Sequence, residues 1–304
     1  MVLSDKINTF GQHLLKRHRK RVHKIALDVG FTCPNRDGSK GYGGCTFCNN
    51  VSFSPDADSN LDLHGQMAKA KIAISKRTGA KRFLAYFQAY TNTYADVTLL
   101  ENLYREALLQ PDIIGISVGT RPDCVPIEVL ELLDTLQNEG WEVWLELGLQ
   151  SAFDETLVRV NRGHGFSEYK ETLLAARARG IPVCTHLIIG LPGEGEEQCH
   201  TTLDKVLELG VDGLKLHPLH VVKNTLLAYQ WKRGEYSPLS MDDYIRISAD
   251  MIERTPEHII FHRVTATAAS DVLLAPDWCS KKWKVLNGIE RELRRRGTRQ
   301  GCRT

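Results

Sequence analysis

The fold class predicted from the sequence is α/β: an open, partial (β/α)6 TIM-like barrel with a C-terminal helical cap. Three observations predict it. Apolar, β-branched runs recur along the chain, most of them nearly continuous, as parallel strands buried on both faces are. Amphipathic stretches long enough to cross over separate these runs, and right-handed crossovers curl such a sheet toward a barrel. Six strand runs fall short of the eight that close a full barrel.

Taken in order, strands are expected at 23–29, 82–87, 113–118, 142–147, 183–189 and 213–216. Crossover helices are expected at 96–109, 127–139, 166–179 and 196–209, where apolar residues recur with helical spacing. Beyond residue 220 the pattern is mixed, with polar helices expected at 226–233 and 241–254 and a basic one at 280–296. The chain is therefore expected to divide into a basic N-terminal extension (1–22), the partial barrel (23–222) and a C-terminal cap with a basic helix (223–304).

Composition narrows the function classes. At 304 residues, 42% hydrophobic and 25% charged, the chain can bury a sizeable core and is far from disordered compositions. No run is long and apolar enough for a membrane span, and the polar start lacks a signal peptide's apolar segment, so a cytoplasmic protein without membrane partners is expected. A formal net charge of +2 excludes a bulk polycation. The charge is clustered, however, in Lys16, Arg17, His18, Arg19, Lys20, Arg21 and Lys24, and again in Arg291, Arg294, Arg295, Arg296, Arg299 and Arg303. Each run reads either as a solvated helix face or as a phosphate-holding rim.

Eight cysteines are too few for a disulfide scaffold in a chain of this length, so their spacing is read for metal or redox chemistry. Cys33, Cys45 and Cys48 share one glycine-rich loop after the first strand, with eleven residues between the first two and two between the last two. Cys-x-x-Cys lets two thiolates grip one centre, and glycines let Cys33 fold back to it. Structural zinc takes four protein ligands, and the loop offers three. A four-iron cluster with one iron left open fits, as does zinc completed by a distant residue such as His64. A thioredoxin-like role fits less well, because the pair does not open a helix at a strand end.

With these motifs, the sequence resembles the radical S-adenosylmethionine superfamily, and within it the YhcC-like branch related to the elongator catalytic subunit. The wide first cysteine gap and Phe47 before the last cysteine carry the resemblance, together with four strand-end stretches. These are Tyr86-Phe87-Gln88-Ala89-Tyr90-Thr91-Asn92-Thr93, Val118-Gly119-Thr120-Arg121-Pro122-Asp123-Cys124, Glu146-Leu147-Gly148-Leu149-Gln150-Ser151 and His186-Leu187-Ile188-Ile189-Gly190-Leu191-Pro192-Gly193. The resemblance implies that Cys33, Cys45 and Cys48 hold a [4Fe-4S] cluster whose fourth iron binds S-adenosylmethionine. An electron then cleaves the sulfonium and yields a 5′-deoxyadenosyl radical that abstracts a substrate hydrogen; a flavodoxin- or ferredoxin-like protein would donate that electron.

Several cofactor contacts follow from it. The superfamily usually has Gly-Gly-Glu at the end of the second strand, and here Gln88, Tyr90, Thr91 and Asn92 stand instead, so carbonyls and an amide would meet the cofactor amine. Gln150 and Arg162 are expected at the cofactor, the arginine on its carboxylate. Phe47 is a further cofactor contact, His186 is placed at the ribose, and Gly190 would let the backbone approach the adenine. His217 and His220 are candidate acid/base groups and Cys124 a candidate radical relay. Glu146 is expected to need a partner if buried, from the cofactor amine, Lys215 or Arg121.

For substrate, the resemblance implies transfer RNA and a wobble uridine side chain. The two basic runs would then flank the barrel mouth, and Tyr86, Phe87, Tyr90 and Tyr94 would either stack on a base or serve as core. A metabolite or protein side chain is the alternative substrate, and a non-catalytic metal-stabilised module the alternative class.

Overall fold

A computed structural model of the chain describes residues 3–49 and 61–304; the first two residues of the expected extension lie outside these. The barrel begins with α1 (Phe10–His18) and β1 (Val22–Leu27). It continues through α2 (Leu63–Thr78), β2 (Arg82–Phe87), α3 (Val97–Leu108), β3 (Ile113–Thr120), α4 (Ile127–Asn138) and β4 (Glu142–Gln150). Next come α5 (Asp154–Arg159), α6 (Phe166–Arg177), β5 (Val183–Ile189), α7 (Glu196–Glu208) and β6 (Gly213–Pro218). The remainder holds β7 (Val221–Val222), α8 (Leu226–Lys232), α9 (Met241–Arg254), β8 (Ile260–Arg263), β9 (Leu273–Ala275) and α10 (Lys282–Arg296). All six expected strands form. The structure adds a seventh, β8, so the parallel sheet runs β1-β2-β3-β4-β5-β6-β8 and part of the stretch read as cap belongs to the sheet.

Alternation along each strand sorts the core into two faces. Ile25, Leu27, Phe83, Phe87, Ile116, Val118, Leu145, Leu147, Leu187 and Leu214 join the helices in the main apolar cluster. The other face lines the barrel and is layered. At its amino end Val22, Leu84, Trp144, Cys184 and Ile260 form a second cluster with Phe10 and Leu14 of α1. The stretch read as a basic extension thus plugs the barrel floor. Thr9, the N-cap of α1, forms a parallel bridge with Phe261, and Phe10 stacks on His262 at 3.8 Å. Above the plug lies a polar layer, and above that the open mouth.

The basic runs are not at the mouth, which corrects the rim expectation. Arg17 and His18 pair with Glu142, the first residue of β4, at 2.8 and 3.0 Å. Arg296 pairs with Asp250, Glu253 and Glu292, and Arg303 with Asp250 and Glu253. Asp250 and Glu253 end α9, just before β8 begins, so these charges sit at the amino ends of the strands.

Candidate functional site

The carboxyl ends of the strands and the cysteine loop enclose an open pocket. Cys33, Cys45 and Cys48 all line it, and none is in a disulfide. The loop reverses tightly: Arg36 N–H donates to the Cys33 carbonyl at 2.7 Å and Gly44 N–H to the Asn35 carbonyl at 2.8 Å. Gly43 and Gly44, at φ +80° and +79°, occupy the left-handed region that side chains avoid. A two-asparagine clamp ties the loop to the turn after α5. Asn35 Nδ2 donates to the Asn161 carbonyl at 2.6 Å, and Asn161 Nδ2 to the Gly44 carbonyl at 2.8 Å. Neither asparagine's role was visible in the sequence, because the partners stand 126 residues apart.

Buried cations face the sulfurs. Arg162 Nη1 lies 3.5 Å from Cys45 Sγ and Arg121 Nη1 3.9 Å from Cys33 Sγ. Arg162 Nη2 donates to the Gly148 carbonyl at 2.6 Å, while its Nε is buried without a partner. Arg121, 2% exposed, is held by Asp123 at 2.9 Å and by the Arg162 carbonyl at 2.7 Å. Burial would raise the Asp123 carboxyl, but the hydrogen-bonded Arg121 and then Lys40 hold it at about 2. Burial, and then the neighbouring Cys45, pushes the Cys48 thiol up to about 11.

These residues fit a resident metal centre. Three thiols open onto a pocket, and guanidinium donors stand ready for negative charge on their sulfurs. Thiolates on one tetrahedral metal, each at about 2.3 Å, stand less than about 4 Å apart. The loop cysteines are not such a triad. Among the described residues, the sets of three donor atoms all within 4.8 Å of one another lie at Glu146, Cys184 and His186 and at Glu196, His200 and Asp250. His64 is no fourth ligand: it lies on α2, over half exposed, and pairs with Glu106 at 3.1 Å.

Phe47, Gln88, Gln150, Arg162, His186, His217 and His220 all line the pocket, as do Tyr86, Tyr90 and Thr91. Asn92 does not; its Nδ2 turns to the Gly119 carbonyl at 2.8 Å. Phe87 faces the helices against Tyr104, and Tyr94 donates to Ser39 Oγ, so neither is a stacking platform in the pocket. Two expectations need correction. Cys124 is buried in the turn after β3, outside the lining, and burial followed by Asp123 pushes its thiol up to about 12. A strand-end position does not decide which way a side chain faces. Gly190, at φ +94°, also lies outside the lining, because its carbonyl accepts from Tyr236 Oη at 2.8 Å and Leu239 covers its Cα.

The pocket floor is the polar layer. Glu146 points inward, fully buried, and is shared by Lys24 of β1 and Lys215 of β6. Ser117 Oγ donates to it at 2.6 Å and His186 Nε2 meets it at 2.7 Å. One carboxylate on the middle strand thus gathers side chains from both halves of the sheet, which requires the sheet to curl. Burial would raise Glu146, but Lys215 and then Lys24 hold it well below the usual carboxylate range. Burial, then Lys215, lowers His186 to about 4, and burial lowers His220 to about 4. Burial, then Arg263, holds His217 far below its ordinary value, so all three are neutral near pH 7.

Comparison with known proteins agrees with this geometry. The model of the radical SAM superfamily matches residues 29–206, and that of the radical SAM C-terminal domain matches residues 211–295. Protein YhcC of Escherichia coli is 48% identical over 98% of this chain and 95% of its own length. The tRNA uridine(34) acetyltransferase of Dehalococcoides mccartyi is 32% identical over 50% of this chain, which spans 33% of that protein. The solved structure of Elp3 from the archaeon Methanocaldococcus infernus superposes with a TM-score of 0.69 at 17% identity, covering 92% of this chain and 64% of that one. No helix among the described residues is long and apolar enough to cross a membrane. The thiol loop, the curled parallel sheet and these matches lead to one conclusion: the chain belongs to the radical S-adenosylmethionine superfamily, whose enzymes pair an iron–sulfur cluster with S-adenosylmethionine.

Proposed function

We propose that the chain binds a [4Fe-4S] cluster through Cys33, Cys45 and Cys48 and acts on the side chain of a wobble uridine in transfer RNA. The observation that carries the cluster reading is the set of three thiols, more widely spread than one metal needs, opening onto the pocket beneath two buried guanidiniums. Together, such a cluster and S-adenosylmethionine supply reductive sulfonium cleavage and hydrogen-atom abstraction. The chain's own residues bind and orient. Arg162, through its unpartnered Nε, takes the cofactor carboxylate. Gln88, Tyr90 and Thr91 meet the amine, Gln150 and Phe47 wall the cofactor, and His186, anchored by Glu146, faces the ribose. His217 and His220 line the pocket as neutral imidazoles, each able to exchange hydrogen bonds with a substrate. A flavodoxin- or ferredoxin-like protein supplies the electron.

Similarity to an enzyme named for tRNA uridine(34) supports the RNA substrate. Comparing nucleoside profiles of bulk transfer RNA from cells with and without the protein tests it. One uridine derivative is expected to change, and an unchanged profile refutes the RNA substrate. Anaerobic iron and sulfide content, with reductant-dependent 5′-deoxyadenosine, tests the cluster separately, and substituting Cys33, Cys45 or Cys48 by Ala is expected to abolish both. One observation favours a second reading, a metabolite or protein side chain as substrate: Arg17, His18, Arg296 and Arg303 of the basic runs are paired with carboxylates at the amino ends of the strands.

A further inference from the structure

The pocket's side chains are unbalanced in charge. Among the described residues that line it, five are permanently or ordinarily cationic (Arg36, Arg121, Arg162, Lys215 and Arg263) and none is acidic. On the cysteine side the cations have work: Arg121 holds Asp123, and Arg36 donates to the Cys48 carbonyl at 2.9 Å. The opposite wall differs. Lys215, almost wholly buried, and Lys24, whose side chain is 19% exposed, share the single carboxylate of Glu146, which leaves one positive charge over in the polar layer. Lys215 Nζ also donates to Tyr86 Oη at 2.9 Å, and Tyr86 lies in the pocket lining. The side chain of Arg263, at the carboxyl end of β8, has no ion pair or hydrogen bond among the described residues. It is nevertheless the strongest charge acting on His217, whose Nε2 is buried without a partner.

A surplus cation in a largely buried layer is unfavourable unless an anion meets it. The protein supplies none, so we infer that Arg263, Lys215 and His217 form an anion subsite that receives a carboxylate carried by the substrate. The guanidinium fork matches a planar carboxylate, Lys215 adds charge at the floor, and the His217 imidazole adds a neutral N–H. A carboxylate rather than a phosphate dianion is indicated because the surplus in the polar layer is one charge, Arg263 itself being exposed to solvent. Desolvation, only partly offset by Glu146, lowers Lys215 to about 8, which agrees with an ammonium short of negative partners. This rests on the reading above that the pocket is the reaction chamber, and it names the group by which the substrate is anchored.

The test uses the anaerobic, cluster-loaded protein saturated with S-adenosylmethionine. N-acetylglycine and its uncharged isostere N-acetylglycinamide are titrated at constant ionic strength, and binding is read by thermal midpoint and by equilibrium dialysis. The carboxylate is expected to bind and raise the midpoint while the amide does not. Arg263→Gln is expected to weaken the carboxylate at least about tenfold, with Arg263→Lys restoring part of the loss. Equal binding of the amide, undiminished binding by R263Q, or tighter binding of inorganic phosphate than of N-acetylglycine would overturn the assignment. The wild-type comparison of acid and amide decides even if R263Q folds poorly. The transfer RNA profile is a separate measurement, so an RNA reading that fails and a subsite that fails are told apart.

Discussion

Asn35 and Gly163 compete for one volume: a Cβ at Gly163 would lie 2.2 Å from Asn35 Oδ1. Gly163 also sits at φ +72°, where an L side chain costs about 1–2 kcal/mol. The buried Asn35 that fills the space is half of the clamp on the cysteine loop.

Gly163→Ala is therefore expected to cost more than the backbone strain alone, roughly 2–4 kcal/mol once a buried hydrogen bond is disturbed. Its readouts are the urea midpoint and iron retained per chain. Adding Asn35→Ala relieves the collision, so the double variant N35A/G163A should lose less than the sum of the two. Simple additivity would show that the added Cβ does not collide with Asn35.

Arg121→Gln removes one partner of a pair in which both side chains are almost wholly buried. The carboxylate then keeps only the half-exposed Lys40, at 2.6 Å, and a loss somewhat below the roughly 3–5 kcal/mol of an uncompensated buried charge is expected in chemical denaturation. The same pair predicts acid sensitivity. The Asp123 carboxyl is held at about 2 against an ordinary 3.8, so its contribution is complete above pH 3.8 and is lost as pH falls toward 2. Asp123→Asn should flatten that part of the stability curve.

Glu146→Gln would leave Lys24 and Lys215 facing each other across the barrel without a countercharge. We expect a loss of about 3–5 kcal/mol in the unfolding free energy. Replacing Lys215 by Met in the same background should recover part of it, since one surplus cation goes. If E146Q unfolded at the wild-type denaturant concentration, the shared carboxylate would not be holding the sheet halves together.

Eight histidines lie below the ordinary 6.5 mainly because they are buried, and five of them are shifted furthest. His164 is at about 3, His186 and His220 at about 4, and His217 and His262 well below. In each, the unfolded chain takes the proton first. Stability is thus complete above pH 6.5 and falls as pH drops toward the folded values, by up to about 1.4 kcal/mol per pH unit for each histidine. Urea unfolding between about pH 7 and pH 5 reads this slope. A flat profile would mean that the imidazoles accept protons in the native state.

The strands were legible because both their faces are covered and their apolar runs say so; β2 and β5 fall on their expected residues. β8 was not, being four residues that pair only because β6 offers an edge. The cysteines were legible by spacing. Asn35, Gly163 and the sulfur-facing role of Arg121 were not, because each depends on a fold-back that brings distant turns together. Cys124 and Gly190 were misplaced for a related reason: sequence locates a residue at the mouth, whereas the turn after the strand sets its direction.

The floor of this barrel is closed by side chains, with Phe10 edge-on to Trp144 at 5.3 Å and stacked on His262. The backbone holds it too: Thr9 bridges to Phe261, and the Phe261 N–H donates to the Asn8 carbonyl at 2.8 Å. Shortening the chain before Phe10 would therefore unpair the edge strand as well as uncork the barrel.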